Sequence, residues 1–288
     1  MCNITAFPTS LKKSQHMYNP DEDNPGEELQ LFLKTIVPVK IGDRSYIGEI
    51  DRILNADEEF TMIVYNSCIN YMVRRMIRTA QWLYRTEQAR EGNEVRYQRS
   101  LRDWLGELNL SKSALSRIET LLMESVIVAN RSLSSSRREN FVNDQRKSGN
   151  TKCYMCGIEL DFNSRDQHSS AEVEHLWPHS LGGQNNSKNL RLACHKCNGL
   201  KKSMIDSSDM HYEQFTIQTD EQDEDFAKDL GPYNKLLSMA SQKYTCSRCG
   251  EPISRVGPLK LARLNRGDSW HYLNVLPYCE RDHPKRSE

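Results

Sequence analysis

The chain is predicted to be α+β: a mostly helical N-terminal domain, then a β-hairpin and helix clasped by a metal ion, then a small tail that is a candidate for a second clasp. Three observations predict this. Apolar residues recur at helical spacing between about residues 60 and 133. Four cysteines stand in two close pairs, Cys153-x-x-Cys156 and Cys194-x-x-Cys197, around a segment whose apolar residues alternate in the strand manner. A further pair, Cys246-x-x-Cys249, follows near the end. The length of 288 residues leaves room for two domains and a small third. The composition shifts divide the chain into 1–28, 29–148, 149–206, 207–242 and 243–288.

Residues 1–28 are polar, acidic and rich in turn formers, among them Asn19-Pro20 and Pro25-Gly26, and are expected to be flexible or loosely packed. Residues 29–148 read as the helical domain, with a short β element around Val37 to Ile50. A first helix runs from about Phe60 to Gln88. Ile69, Val73, Met76, Ala80 and Leu83 mark its apolar face, and Arg74, Arg78, Gln81 and Arg85 the opposite one. That arginine face is expected to be solvated, with Trp82 at its margin covering a neighbour, although interleaved Arg and Trp also suit nucleic acid. A second helix covers Glu94 to Leu108. A third starts near Ser113 and carries Leu115, Ile118, Leu122, Val126, Ala129 and Leu133 on one stripe, read as bundle core. Ser132 to Arg138 turns polar and basic on the way to Gly149 and the first cysteine pair.

In residues 149–206, Ala171 to Trp177 alternates as a strand, and Pro178 to Asn186, with Gly182-Gly183, reads as a loop. Asn189-Leu-Arg-Leu-Ala returns as a second strand to Cys194. A short helix then runs from His195 through Asn198, Lys201 and Lys202 to about Met204. Two Cys-x-x-Cys pairs supply the four tetrahedral thiolates that zinc prefers, and four thiolates leave no open coordination position, so Cys153, Cys156, Cys194 and Cys197 are expected to hold a structural zinc. The chemistry must come from residues beside it. His175 can take a proton from water near neutral pH. The Glu174 carboxylate and the Asn198 amide oxygen suit a hard cation, Mg2+ or Mn2+, which would polarise a phosphodiester and stabilise the departing 3′ oxygen. Neighbours on a strand point to opposite faces, so Glu174 and His175 can converge only at a bulge or strand end.

At these residues the chain resembles the HNH (His-Asn-His) endonuclease family, in its zinc-bearing branch. The matching elements are Cys153-Tyr-Met-Cys156, Val173-Glu174-His175-Leu-Trp-Pro178, Gly182-Gly183, Asn189-Leu190 and Cys194-His-Lys-Cys197-Asn198-Gly-Leu-Lys201. The resemblance covers about 55 of 288 residues. It implies a ββα-metal fold and metal-dependent hydrolysis of DNA, with His175, Asn189 and Asn198 as the catalytic set. His175 would be the base, Glu174 and Asn198, with His175 itself, the residues at the catalytic cation, and Asn189 the residue that fixes the loop and orients His175. Lys201, with Lys202 beside it, would lie near a phosphate. Two positions depart from the commoner pattern: Glu174 stands where Asp is more frequent, and Asn198 where many members carry His. The plain alternative is a non-cleaving, zinc-stabilised nucleic-acid-binding or scaffold protein. His179 and His195 are expected to play no part. A zinc deaminase is disfavoured, because it needs His-x-Glu, Pro-Cys-x-x-Cys and an open zinc position.

Residues 207–242 form an acidic linker, with a run from Asp220 to Asp225, and a connecting helix. Beyond it Cys246, Cys249, Cys279 and His283 could bind a second structural zinc. Net charge is zero, yet residues 61–150 carry +6 and residues 231–288 carry +5, so basic stretches flank the central module as in a protein that grips a polyanion. No run of apolar residues is long enough to span a bilayer and the N-terminus lacks a secretory pattern, so a cytoplasmic protein without membrane contact is expected. Cysteines at metal spacing fit a reducing compartment, and Cys2 and Cys68 receive no role. Compact HNH domains with an added helical domain resemble effectors of bacterial anti-phage defence, and also mobile-element or restriction nucleases; for a defence effector a regulatory ATPase or sensor protein would be a partner. The chain itself has no Gly-x4-Gly-Lys-(Ser/Thr) nucleotide loop.

Overall fold

The computed structural model describes residues 18–20, 22–38, 40–41, 44–45, 58–89, 94–164, 168–209, 231–265 and 272–284. The expectations for residues 1–17 and for the acidic run from Asp220 to Asp225 lie outside them.

Helix α1 (Pro25–Ile36) opens on a proline, whose missing N–H is harmless in a first turn. Two short strands, β1 (Lys40–Ile41) and β2 (Arg44–Ser45), pair antiparallel. Four helices follow: α2 (Glu58–Ala89), α3 (Glu94–Gly106), α4 (Lys112–Ala129) and α5 (Ser135–Lys147). Ser111 and Ser134 cap α4 and α5 by accepting the Ala114 and Arg137 N–H groups at 3.2 and 3.4 Å. The strands β3 (Ala171–His175) and β4 (Leu190–Cys194) then form an antiparallel hairpin, with Ala171 opposite Cys194 and His175 opposite Leu190. Helix α6 (His195–Lys201) leaves directly from β4. The tail comprises α7 (Pro232–Ser241), α8 (Ile253–Val256) and a second antiparallel hairpin of β5 (Lys260–Arg263) and β6 (Val275–Tyr278).

The helical core forms largely where periodicity placed it, with Ile77 buried in place of Met76, and with Met76, Leu83 and Leu115 half-buried against it. Ile69, Val73, Ile77 and Ala80 of α2 and Ile118, Leu122 and Val126 of α4 are buried together with Leu29 and Leu33 of α1 and Leu101 of α3. Leu133 falls beyond the end of α4. Two helices differ from expectation. Pro25-Gly26 begins α1 instead of ending a turn, and α5 occupies the basic stretch before the first cysteine pair. Helix α5 buries no residue, so it carries no apolar stripe by which its sequence could announce it.

The helical core does not close on itself. Trp177 and Leu181, from the loop between β3 and β4, are buried in it. Gly26 meets that loop so closely that a methyl group added to it would lie 1.7 Å from the Leu181 carbonyl oxygen. The residues just before α1, expected to pack loosely, are docked on the same loop. Asn24 Oδ1 accepts the Gln184 N–H at 2.8 Å, the Gln184 side chain donates to the Pro20 carbonyl at 2.7 Å, and Lys188 pairs with Glu22 at 2.5 Å.

The arginine face of α2 is likewise only partly solvated. Arg74 forms an ion pair with Asp209 and donates to the Ser203 carbonyl at 3.0 Å. Fully buried Asn70 accepts from Gln30 at 2.6 Å and donates to Asp206 at 2.9 Å. Trp82, by contrast, is 60 % exposed. The tail shares a second core with the hairpin, in which Leu236, Leu237, Leu261 and Val275 pack with Met155, Leu160, Leu192 and Ala193.

Candidate active site

Cys153, Cys156, Cys194 and Cys197 converge, their sulfur atoms all within 4.8 Å of one another. The first pair sits on a tight knuckle in which the Gly157 N–H donates to the Cys153 carbonyl at 2.9 Å. Gly157 has φ +72°, a conformation that glycine adopts without strain. The second pair belongs to the β4–α6 junction, where Cys194 Sγ also caps the helix by accepting the Cys197 N–H at 3.4 Å. The donor set fits zinc: four thiolates at tetrahedral reach, three of the cysteines buried.

The clasp holds α6 against one face of β3. Side chains at alternate strand positions share a face, so Glu172 and Glu174 both look toward the helix, and the helix answers each. Glu172, about one-quarter exposed, accepts from His195 Nδ1 at 2.6 Å and from the Asn198 amide at 2.5 Å. Burial works to raise the Glu172 carboxyl, but these two hydrogen bonds and the nearby His195 and Arg138 charges outweigh it and hold the group below its ordinary value. Glu174 is 4 % exposed and accepts from Lys201 Nζ at 2.7 Å and from the Tyr154 hydroxyl at 2.8 Å. Burial raises its carboxyl despite both partners.

Lys201 is itself buried and also donates to the His175 and Leu176 carbonyls at 2.8 and 3.1 Å. All three ammonium donors therefore face inward. Lys201, which the resemblance placed near a phosphate, instead spends its donors inside the domain and pins the helix to the end of β3; Lys202, at the helix end, is exposed.

His175 ends the strand and joins a different set. Its Nε2 lies 2.8 Å from Asn185 Oδ1. The Asn185 amide nitrogen donates to the Arg131 carbonyl at 2.8 Å, which leaves Oδ1 as the acceptor facing His175. His175 Nε2 must then carry the proton, and Nδ1 holds the lone pair. Burial first, and then the His179, Lys201 and Arg138 charges, depress the imidazole to about 4, so it is neutral at pH 7. The His179 ring stands 5.0 Å away and its Nε2 meets the Arg131 carbonyl at 3.0 Å. Asn189, 3 % exposed, accepts the Trp177 N–H at 2.7 Å and donates to the Trp177 and Gln184 carbonyls. It fixes the two ends of the loop, whereas Asn185 sets the His175 ring.

Residues 153–211 match a family model described as HNH endonuclease. This segment is an HNH endonuclease domain. Comparisons with curated proteins and with solved structures find no match to the chain.

Within the HNH domain the structure therefore brings Asn198 to Glu172, and Glu174 to Lys201, while His175 sits at the strand end beside Asn185. Four participants went unread in the sequence. Glu172 carried a signal, since it lies two residues before Glu174 on the same strand face. His195 was set aside as a spectator and instead holds Glu172. Asn185 and Tyr154 gave no signal: one lies in a loop of mixed polar residues, and the other is a knuckle residue that only the fold turns toward Glu174. Arg138 of α5, upstream of the domain, adds its charge to both Glu172 and His175. No helix among the described residues is long and apolar enough to cross a membrane.

Proposed function

We propose that the chain is a divalent-metal-dependent endonuclease that hydrolyses DNA phosphodiester bonds at the HNH domain. The observation that carries this reading is a neutral, half-buried imidazole whose proton is fixed on Nε2, at the end of the strand that bears two carboxylates and faces Asn198. His175 Nδ1 accepts a proton from water, and the resulting hydroxide attacks phosphorus as the 3′ oxygen leaves. Asn185 keeps the ring in that tautomer, and Arg138 offers positive charge to the phosphate from outside the domain.

The donor set on the helix side of β3 fits a hard cation. Glu172 and the Asn198 amide oxygen would hold it, and Glu174, whose charge Lys201 already balances, would join only by releasing Lys201. When bound, Mg2+ or Mn2+ supplies Lewis-acid polarisation of the phosphoryl oxygen and charge for the leaving oxygen. The closed thiolate clasp would hold zinc as a structural ion.

The test uses the full chain with supercoiled plasmid, linear duplex, single strands and RNA, each with Mg2+, Mn2+ or chelator. Cleavage of DNA that needs the cation is expected. His175→Ala should lose about 10²–10⁴-fold in rate while keeping its zinc and its circular dichroism, and Asn198→Ala should raise the cation concentration required. DNA retarded in a gel without strand breaks under every cation would instead establish a binding or scaffold protein. Anti-phage defence is the setting we propose, supported by the resemblance of a compact HNH domain with an added helical domain to effectors of that kind; with no nucleotide loop in this sequence, control by nucleotide would come from an ATPase or sensor partner. Phage plating on cells carrying the parent or the His175→Ala chain tests it: equal plaque counts would reject that setting.

A further inference from the structure

The tail repeats the architecture of the first clasp with one substituted donor. In both knuckles the glycine after the second cysteine has a positive φ, +72° at Gly157 and +71° at Gly250. The Gly157 and Gly250 N–H groups donate back to the Cys153 and Cys246 carbonyls at 2.9 and 2.8 Å. The Cys153 and Cys246 N–H groups donate forward to the Ile158 and Glu251 carbonyls, each at 2.9 Å. Single antiparallel bridges, Lys152 with Glu159 and Thr245 with Pro252, close the two turns alike.

We infer that Cys246, Cys249, Cys279 and Asp282 form a second zinc site. Their donor atoms all lie within 4.8 Å of one another, with Asp282 Oδ2 3.2 Å from Cys279 Sγ and 3.8 Å from Cys246 Sγ. Cys279-x-x-Asp282 has the spacing of the Cys-x-x-Cys half it replaces. The Cys279 N–H, at 3.4 Å from Cys246 Sγ, supports a thiolate there, and Arg281 meets both Asp282 oxygens at 3.2 and 3.4 Å and orients the carboxylate. His283, the fourth ligand expected from the sequence, stands edge-on to the Tyr278 ring at 6.4 Å and is not in the group.

Three thiolates and a carboxylate select zinc over the hard cations. The apolar cluster immediately around the site is small, Cys246, Ile253, Leu259, Ala262, Tyr278 and Cys279, so a metal there would add to the hold that Leu261 and Val275 give by packing in the hairpin's core. Because one ligand is a carboxylate, this site gives up its zinc more readily than the four-thiolate clasp.

Metal content of the full chain decides the matter without any cleavage assay. After dialysis the parent should hold two zinc ions per chain, and titration with Co2+ should end at two, with thiolate charge-transfer absorption at both steps. Cys249→Ser should hold one. Asp282→Ala should release one zinc at a chelator concentration at least about tenfold lower than the parent, Asp282→Cys should retain it more tightly, and His283→Ala should match the parent. One metal ion per parent chain would overturn the inference, and so would loss of the second ion from His283→Ala with retention by Asp282→Ala. Should Cys249→Ser fail to fold, the cobalt endpoint of the parent still decides.

Discussion

Lys201 commits its three donors to Glu174 and to the carbonyls of His175 and Leu176, and this separates the duties of the two carboxylates of β3. Glu174→Gln leaves a buried ammonium without its counter-charge, so it should cost about 3–5 kcal/mol of stability, read as a shift in urea midpoint. Glu172→Gln leaves that pair intact, so it should unfold like the parent but need more Mn2+ for half-maximal cleavage. The opposite pattern, with Glu174→Gln changing only the cation requirement, would move the ligand role to Glu174. His175 gives a second prediction. A general base must be unprotonated, and burial lowers this imidazole to about 4. The rate should therefore stay flat as pH falls through 6.5 and decline only near pH 4, in a pH–rate profile at saturating cation. A limb centred near 6.5 would show that His175 is not the group that titrates. At this scale the sequence declared residue types well and partners poorly. Glu172 was visible in the strand alternation, but the choice between Glu172 and Glu174 rests on which helix residue stands opposite. Asp282 stands at Cys-x-x-Asp spacing, but a carboxylate beside three thiolates is a weaker zinc signal than the neighbouring His283.

Among the elements, the loop between β3 and β4 is held from both sides. Asn189 ties its ends, and α1 presses on its middle at Gly26 and Leu181. Gly26→Ala puts a methyl group against backbone, which cannot move aside as a side chain can. It should cost about 1–3 kcal/mol in thermal or urea unfolding and reduce cleavage more than it reduces DNA binding, because the displaced loop carries Asn185 and so the His175 tautomer. Unchanged cleavage in a destabilised variant would separate the loop from catalysis. Strong periodicity made α2, α3 and α4 legible in the sequence, and the cysteine pairs made the hairpin and α6 legible. Helix α5 was illegible because it has no fully buried residue and only Phe141 and Val142 half-buried against the core, and α1 because a Pro-Gly start looks like a turn. The polar face of α2 looked solvated because no single-sequence signal tells a surface arginine from one aimed at Asp209.

For the whole molecule, the thiolate clasp and the proposed cation site make different demands. Stripping zinc from the full chain should abolish cleavage and lower the unfolding midpoint, and adding Mg2+ or Mn2+ alone should restore neither, because hard cations do not replace zinc among thiolates. Zinc followed by Mg2+ should restore both. Full recovery with Mg2+ alone would mean that the clasp is dispensable. The tail enters the same accounting through one aromatic contact. Tyr244 stands edge-on to Tyr154 at 5.4 Å, and Tyr154 is the residue whose hydroxyl holds Glu174. The continuity of the core from α1 through the HNH loop was not readable in the sequence, since it depends on where Trp177 and Leu181 go.

That placement of Trp177 limits how this HNH domain can be transplanted. Its indole N–H donates to the Leu181 carbonyl at 2.8 Å while its ring is walled by α1, α2 and α4. A graft of residues 153–209 onto a foreign carrier would arrive with that indole bare to water and the loop beneath it slack. The portable unit is therefore the segment that starts upstream of α1, and chimeras cut at the first cysteine pair should come out insoluble or inert.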